Sequence, residues 1–538
     1  MKLHTAIAAT LRELGVTTIF GVLGDGNMFF VDRYVDECGG RYLSTSNEAG
    51  AVLMASGFAS ASGEVGVATV THGPGLANTM ASLVSGTREH APIVLLAGDT
   101  GRDARGHTQK INQSALVAPT GAGWEDVTSA ARATEALVRA FRRAVSERRP
   151  IVYNVPVDLM FQDADAAVGA TYRLRKSAVL PDPEAMDDAV GIIAAAKRPI
   201  VLAGAGALSL DARDALVRLA AVLGAPTATT IPAKGLFGRD EHDLGVFGSL
   251  SSPRAAEAIS QCDCIIAVGA SLNRLTGGGD GWPFFRDKRV VHCDIDVAAL
   301  GREYVADASI LADAAVFAGT VVEWLEQAEY QGSGFRDALG YEEDVVTDEP
   351  SASAGQVDLA FALAELDRIL PAQRSLTVDG GRFTSEAVRR MNVLSSRSWS
   401  FSGRGFGAVG NGVATAIGVG CALRDAPSVA VVGDGGFMLG GLAEFNTAVR
   451  HGVDLIVIVC NDGSYGAEYR KLRSRDFSSE ISMFEWPSFA SVAASLGGIG
   501  VSVRSAEDLA EVAAVLEKRD RPVLIDLNLD PAIGSMDH

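Results

Sequence analysis

Positive charge is what this chain has least to spare. Its 538 residues carry 47 Lys and Arg against 66 Asp and Glu, a formal charge of -19. A polyanion would be repelled unless a local basic patch intervened, and the densest basic runs, 139–149 and 470–475, are short. Neither nucleic acid nor an anionic membrane is therefore expected as a partner. Long apolar runs are missing too, since none approaches the roughly 20 residues that span a bilayer. The first residues form an amphipathic stretch (Leu3, Ile7, Leu11, Leu14) in place of a secretory signal with its cleavage site. Cysteine is sparse, and Cys38, Cys262, Cys264, Cys293, Cys421 and Cys460 show neither disulfide nor zinc-ligand spacing. Reduced structural thiols in a cytoplasmic protein are the expectation.

What the chain does have is the makings of several cores. With 48% hydrophobic and 21% charged residues it is globular in composition, and its length calls for about two to four domains. Short β-branched runs alternate with Ala/Leu-rich helical stretches from end to end, which predicts an α/β fold of doubly wound domains with mainly parallel sheets. Two stretches, 171–183 and about 327–355, break this rhythm and read as linkers. They delimit three domains at residues 1–170, 184–326 and 356–538. Ligands of such folds sit at the carboxyl ends of the strands, where loops meet helix N-termini.

In the third domain the apolar run 429–432 leads into Gly433-Asp434-Gly435-Gly436 and then a helical stretch. Glycines let backbone approach a phosphate, a helix N-terminus favours its charge, and Asp434 is a hard oxygen ligand suited to magnesium. The next run, 455–460, ends in Asn461-Asp462-Gly463-Ser464-Tyr465-Gly466. If the two strands are parallel neighbours, both loops emerge at one edge and can share an ion. Asp379, after the run ending at Val378, is placed to line the same phosphate site.

This pair of loops resembles the diphosphate-binding motif of thiamin-diphosphate enzymes, the group that includes pyruvate decarboxylase, benzoylformate decarboxylase and acetolactate synthase. The resemblance covers nearly the whole chain and implies thiamin diphosphate and Mg2+ as cofactors. In the family a second metal ligand is usually the last asparagine of an Asn-Asn pair, with a backbone carbonyl two residues on as a third. Counting from Asp434 gives Asn461 (461 − 434 = 27), whereas counting back from Tyr465-Gly466 gives Asp462 with the carbonyl of Ser464. Asp462 is preferred, because Gly440-Gly441 reads as a one-residue insertion ahead of the helix carrying Glu444. In the segment 405–410, Val409 matches the apolar wedge that bends the cofactor, and the carbonyl of Gly407 the group that holds its amino substituent.

The first domain resembles the family's pyrimidine-binding domain. Glu48 opens a helix rich in small residues and matches the carboxyl group that activates the aminopyrimidine. Asp25, in Gly24-Asp25-Gly26-Asn27, and His72, in His72-Gly73-Pro74-Gly75, match proton-carrying groups of the decarboxylases. Gln113, in the loop that also carries His107, resembles a substrate-facing glutamine of carboligases and lyases, and Glu468 stands where pyruvate decarboxylases place a second acid. The middle domain has an incomplete dinucleotide fingerprint (Gly204, Gly206) and Gly245-Val246-Phe247-Gly248 where the synthases carry a flavin-associated element, so FAD is not expected.

The resemblance implies non-oxidative decarboxylation of a 2-oxo acid, with release of an aldehyde or capture by a second carbonyl to give a 2-hydroxy ketone. An acetolactate-synthase-like carboligase or an aldehyde lyase is the alternative, and an inactive cofactor-binding subunit the remoter one. It also implies a homodimer or homotetramer with active sites between subunits.

Overall fold

The computed structural model describes residues 1–173, 177–238, 240–339 and 353–532. Parts of both sequence-read linkers and the last residues of the third domain lie outside the described residues. The chain forms three six-stranded sheets, and every pairing between their strands is parallel. In the first, β1 (Thr18–Gly21), β2 (Arg41–Ser44), β3 (Gly66–Val70), β4 (Ile93–Asp99), β5 (Gly123–Asp126) and β6 (Ile151–Pro156) take the order β2-β1-β3-β4-β6-β5. In the second, β7 (Pro199–Ala203), β8 (Thr227–Thr229), β9 (Asp243–Val246), β10 (Cys264–Val268), β11 (Arg289–Asp294) and β12 (Ala308–Leu311) run β12-β11-β10-β7-β8-β9, the Rossmann order. In the third, β13 (Ser375–Val378), β14 (Trp399–Phe401), β15 (Ser428–Gly433), β16 (Leu455–Asn461), β17 (Ile499–Val503) and β18 (Val523–Asn528) repeat the first sheet's pattern as β14-β13-β15-β16-β18-β17.

Continuous apolar runs make these strands because helices cover both faces of each sheet. β3, β7 and β10 are buried at every position, as parallel strands between helical layers must be. The helix Ala130–Glu147 shows the complementary pattern, with Ala133, Leu137, Ala140, Phe141 and Ala144 buried at helical spacing and its arginines turned outward.

The first and third domains are joined through equivalent helices. Glu48–Ser62 follows β2, Gly412–Ala422 follows β14, and both are buried along nearly their whole length in one shared core. A Cβ on Gly57 would overlap the carbonyl oxygen of Thr415, and one on Gly418 that of Met54. Glycine is required at both contacts because backbone meets backbone there.

The helical run that starts at Asp434 contains a π-helical turn, Phe437–Gly441, before continuing as Leu442–His451. A wider turn is how a helix takes up one extra residue while the turns beyond it keep their register. The Gly440-Gly441 insertion read from sequence lies inside it.

Candidate active site

β15 and β16 are parallel neighbours, with Gly433 paired to Cys460, so the loops at their carboxyl ends emerge side by side. Asp434 is 3% exposed. Its Oδ1 accepts from the backbone N–H of Gly435 at 2.7 Å, and its Oδ2 accepts from the N–H of Ser464 at 3.2 Å and from the indole Nε1 of Trp486 at 3.0 Å. The same Ser464 N–H also donates to Oδ1 of Asp462 at 2.9 Å, as does the Ser464 hydroxyl at 2.7 Å. Two carboxyl groups thus converge on one amide in a buried place. Burial pushes Asp434 up to about 7, and repulsion from Asp462 adds to it.

That mutual repulsion is what a divalent cation relieves, so the pair fits magnesium by its donor chemistry. Among the described residues no group of three or more His, Cys, Asp or Glu is arranged to hold a metal. A cation here would rest on two carboxylates and backbone oxygens. The neighbouring residues face different ways. Asn461 donates through Nδ2 to Asp526 on β18 at 2.9 Å, while Oδ2 of Asp462 meets Nε of Arg382 at 2.5 Å.

Around the acids the backbone is bare. A Cβ on Gly435 would strike the Tyr465 ring, and one on Gly466 the Arg382 side chain and the Asp462 carboxyl group. Asp379, fully buried, accepts from the N–H of Gly380 at 2.9 Å, the N–H of Gly410 at 2.7 Å and the hydroxyl of Ser402 at 2.9 Å. It therefore anchors the turn carrying Gly407 (φ +69°) and Val409 rather than standing free. Val409 is left 44% exposed, and Phe406, Leu439 and Tyr465 are exposed as well.

At the carboxyl edge of the first sheet, Gly26 donates to the Thr71 hydroxyl at 3.1 Å, which brings the Asp25 loop against the His72 loop. Asp25 itself is exposed. His72 is 2% exposed, and neither ring nitrogen has a well-formed hydrogen bond. Its ring meets that of His107 edge-on, centroids 5.3 Å apart. Burial holds its pKa below the ordinary value, with Gln109, Asp25 and Asp99 working the other way. Gln113 is buried and bonded: it accepts from the Gly73 N–H at 2.7 Å and donates to the Gly98 carbonyl at 3.0 Å and to Asn154 at 2.7 Å. It braces the loop that carries His72.

Glu48 is half-buried at the start of its helix, and its carboxyl group accepts from the Asn78 amide at 3.0 Å. Among the described residues it bonds to no side chain of the third domain. The residue before it does, since Asn47 N–H donates to the buried Glu444 at 3.0 Å. Glu468, in the first turn of Gly466–Arg473, is exposed.

Sequence reasoning missed Arg382, Trp486 and Asn78, because each meets its partner through tertiary packing and not through a loop motif. Apart from all these residues, a cavity of about 620 Å³ opens at the carboxyl edge of the central sheet, with Gly206, Gly269, Arg302 and Arg404 in its wall. Among the described residues no helix is long and apolar enough to cross a membrane.

Comparison with known proteins gives a consistent result. Residues 1–116 match the N-terminal TPP binding domain of thiamine pyrophosphate enzymes, 186–321 their central domain and 379–527 their C-terminal TPP binding domain. An acetolactate synthase from Mycobacterium bovis is 28% identical over 97% of this chain and 87% of its own length. A sulfoacetaldehyde acetyltransferase from Alcaligenes xylosoxydans xylosoxydans is 28% identical over 94% of this chain and 88% of its own. The thiamine diphosphate-dependent 4-hydroxybenzoylformate decarboxylase of Rhodococcus jostii superposes with a TM-score of 0.84 at 20% identity, covering 98% of this chain and 99% of that one. With all three domains matched in order, the chain belongs to the thiamine pyrophosphate-dependent enzymes.

Proposed function

We propose that this enzyme decarboxylates a 2-oxo acid without oxidation, using thiamin diphosphate and Mg2+, and releases an aldehyde, with 2-hydroxy ketone formation as the competing outcome when a second carbonyl is present. The observation that carries the choice of decarboxylation is the buried imidazole of His72 against His107, a proton-carrying pair at the carboxyl edge of the domain that bears Glu48.

When bound, the cofactor supplies an electron sink for the pair left by departing carbon dioxide. The chain's own residues do the rest. Asp434, Asp462 and the carbonyl of Ser464 hold the cation, and the bare backbone of Gly433, Gly435, Gly436 and Gly466, with Tyr465, admits the diphosphate. Asn461, turned to β18, is the weaker ligand assignment. Gly407 and Val409 support the ring system, on a turn fixed by Asp379. Glu48 keeps a proton at the aminopyrimidine nitrogen. His72, whose pKa burial holds below the ordinary value, would exchange a proton with the reacting carbon's oxygen, with the exposed His107 and Asp25 between it and solvent. Gln113 positions the His72 loop, and Glu468 lies on the opposing domain as a second acid.

Because among the described residues Glu48 bonds to no side chain of the third domain, and Val409 and Tyr465 stand exposed at the diphosphate site, we assign the complete site to two copies of the chain, in a homodimer or homotetramer. A cytoplasmic location and a reaction without flavin belong to the same reading. A panel of 2-oxo acids assayed for carbon dioxide, aldehyde and 2-hydroxy ketone tests it. Aldehyde should lead among the products and fall when His72 is replaced; no carbon dioxide from any acid would refute the proposal.

A further inference from the structure

The ion pair between Arg382 and Asp462 lies within the acidic pair but has no part in the proposed reaction. Both side chains are nearly closed off from solvent, at 9% and 5% exposure, and Nε of Arg382 is 2.5 Å from Oδ2 of Asp462. The rest of the guanidinium is tied to the end of the domain, donating to the carbonyl of Asp530 at 2.9 Å and that of Pro531 at 3.3 Å. Arg382 comes just after Gly380-Gly381 at the end of β13, the strand beside β15. Three neighbouring strands therefore deliver Arg382, Asp434 and Asp462 to one edge. A flexible cation would not remain so placed without these carbonyls.

Two buried carboxylates attract a divalent cation, but they also repel the phosphate groups that must arrive with it. A fixed guanidinium on the outer oxygen of one acid cancels one negative charge and fixes that carboxyl group's orientation. Oδ1 of Asp462 is left pointing to Ser464 and the Asp434 side of the site. We infer that Arg382 is a positioning residue for cofactor loading: it fixes the Asp462 carboxyl group and offsets the charge that this group brings next to an incoming diphosphate. This rests on the thiamin-diphosphate reading of the site.

The test is a binding measurement on the full-length apoprotein after chelation and dialysis, with no turnover involved. Trp486, whose indole N–H is on Asp434, gives a fluorescence signal from the site itself. Thiamin diphosphate is titrated at saturating Mg2+ into the wild type, Arg382→Met, Arg382→Lys, Asp462→Asn and the double variant Arg382→Met/Asp462→Asn, with melting curves of the ligand-free proteins as a check on folding. Removing one partner of a buried charge pair leaves the other uncompensated, so Arg382→Met should weaken binding about tenfold or more. Arg382→Lys should lose less, and the double variant should recover to within about threefold of the wild type, because the charge and its offset leave together. Should Arg382→Met fold poorly, the comparison of the double variant with Asp462→Asn alone decides: with the aspartate's charge gone there is nothing left to offset, so the two should bind within about threefold of each other. Unchanged binding by Arg382→Met, a double variant no better than Arg382→Met alone, or a double variant about tenfold weaker than Asp462→Asn overturns the inference while leaving the thiamin-diphosphate reading intact. A wild type that shows no saturable response overturns both.

Discussion

At the scale of single residues the site combines groups of opposite legibility. Asp434 and Asp462 could be read from sequence because each directly follows a strand, and a loop motif keeps its members adjacent in the chain. Trp486 and Arg382 could not, since they reach the acids across 52 residues (486 − 434) and 80 residues (462 − 382) of intervening structure. Gln113 was legible as a residue of the right loop, but only three-dimensional packing shows its amide spent on Gly73, Gly98 and Asn154. Glu48→Gln should lower turnover by about 10²- to 10⁴-fold, the usual worth of a positioned acid or base, while cofactor affinity measured by calorimetry stays within a few-fold. His72 predicts a pH effect on stability. Its folded pKa is depressed below 6.5, so as pH falls through 6.5 the unfolded chain takes up the proton first, and stability is lost until pH drops below the folded value. Denaturation of His72→Gln at a series of pH values should show a shallower loss than wild type across that window; parallel curves would contradict it.

At the scale of elements, strand and helix alternation carried the fold, since a parallel sheet between helical layers demands continuous apolar strands. The small-residue face of the helix that Glu48 opens was also readable as a surface for close packing. What sequence did not identify was the surface it packs on, the equivalent helix Gly412–Ala422 of the third domain in the same chain. The shared strand order of the first and third sheets was likewise invisible, because the topology recurs without a sequence repeat. The helix pair gives a prediction with an internal control. Gly57→Ala or Gly418→Ala should each destabilise the protein by about 1–3 kcal/mol, as overpacking does. Gly191→Ala, on the helix Pro183–Ala195 with nothing near its added Cβ, should stabilise by about 0.5–1 kcal/mol. Chemical denaturation of the three variants measures both signs.

At the scale of the whole molecule, the proposed site takes Glu48 from one copy of the chain and Asp434 from another. Mixing inactive Glu48→Gln with inactive Asp434→Asn protein and reassembling them should restore activity, because a mixed dimer then holds one site with both native groups. Persistent inactivity in verified mixed dimers would place both residues in the same chain's site. The claim on which everything else depends is that the paired carboxylates hold a magnesium diphosphate. Calorimetric titration of the apoprotein with thiamin diphosphate measures it directly. Saturable binding that requires Mg2+ and disappears in Asp434→Ala is the predicted result, and binding that is absent, or indifferent to both the cation and Asp434, would contradict the account.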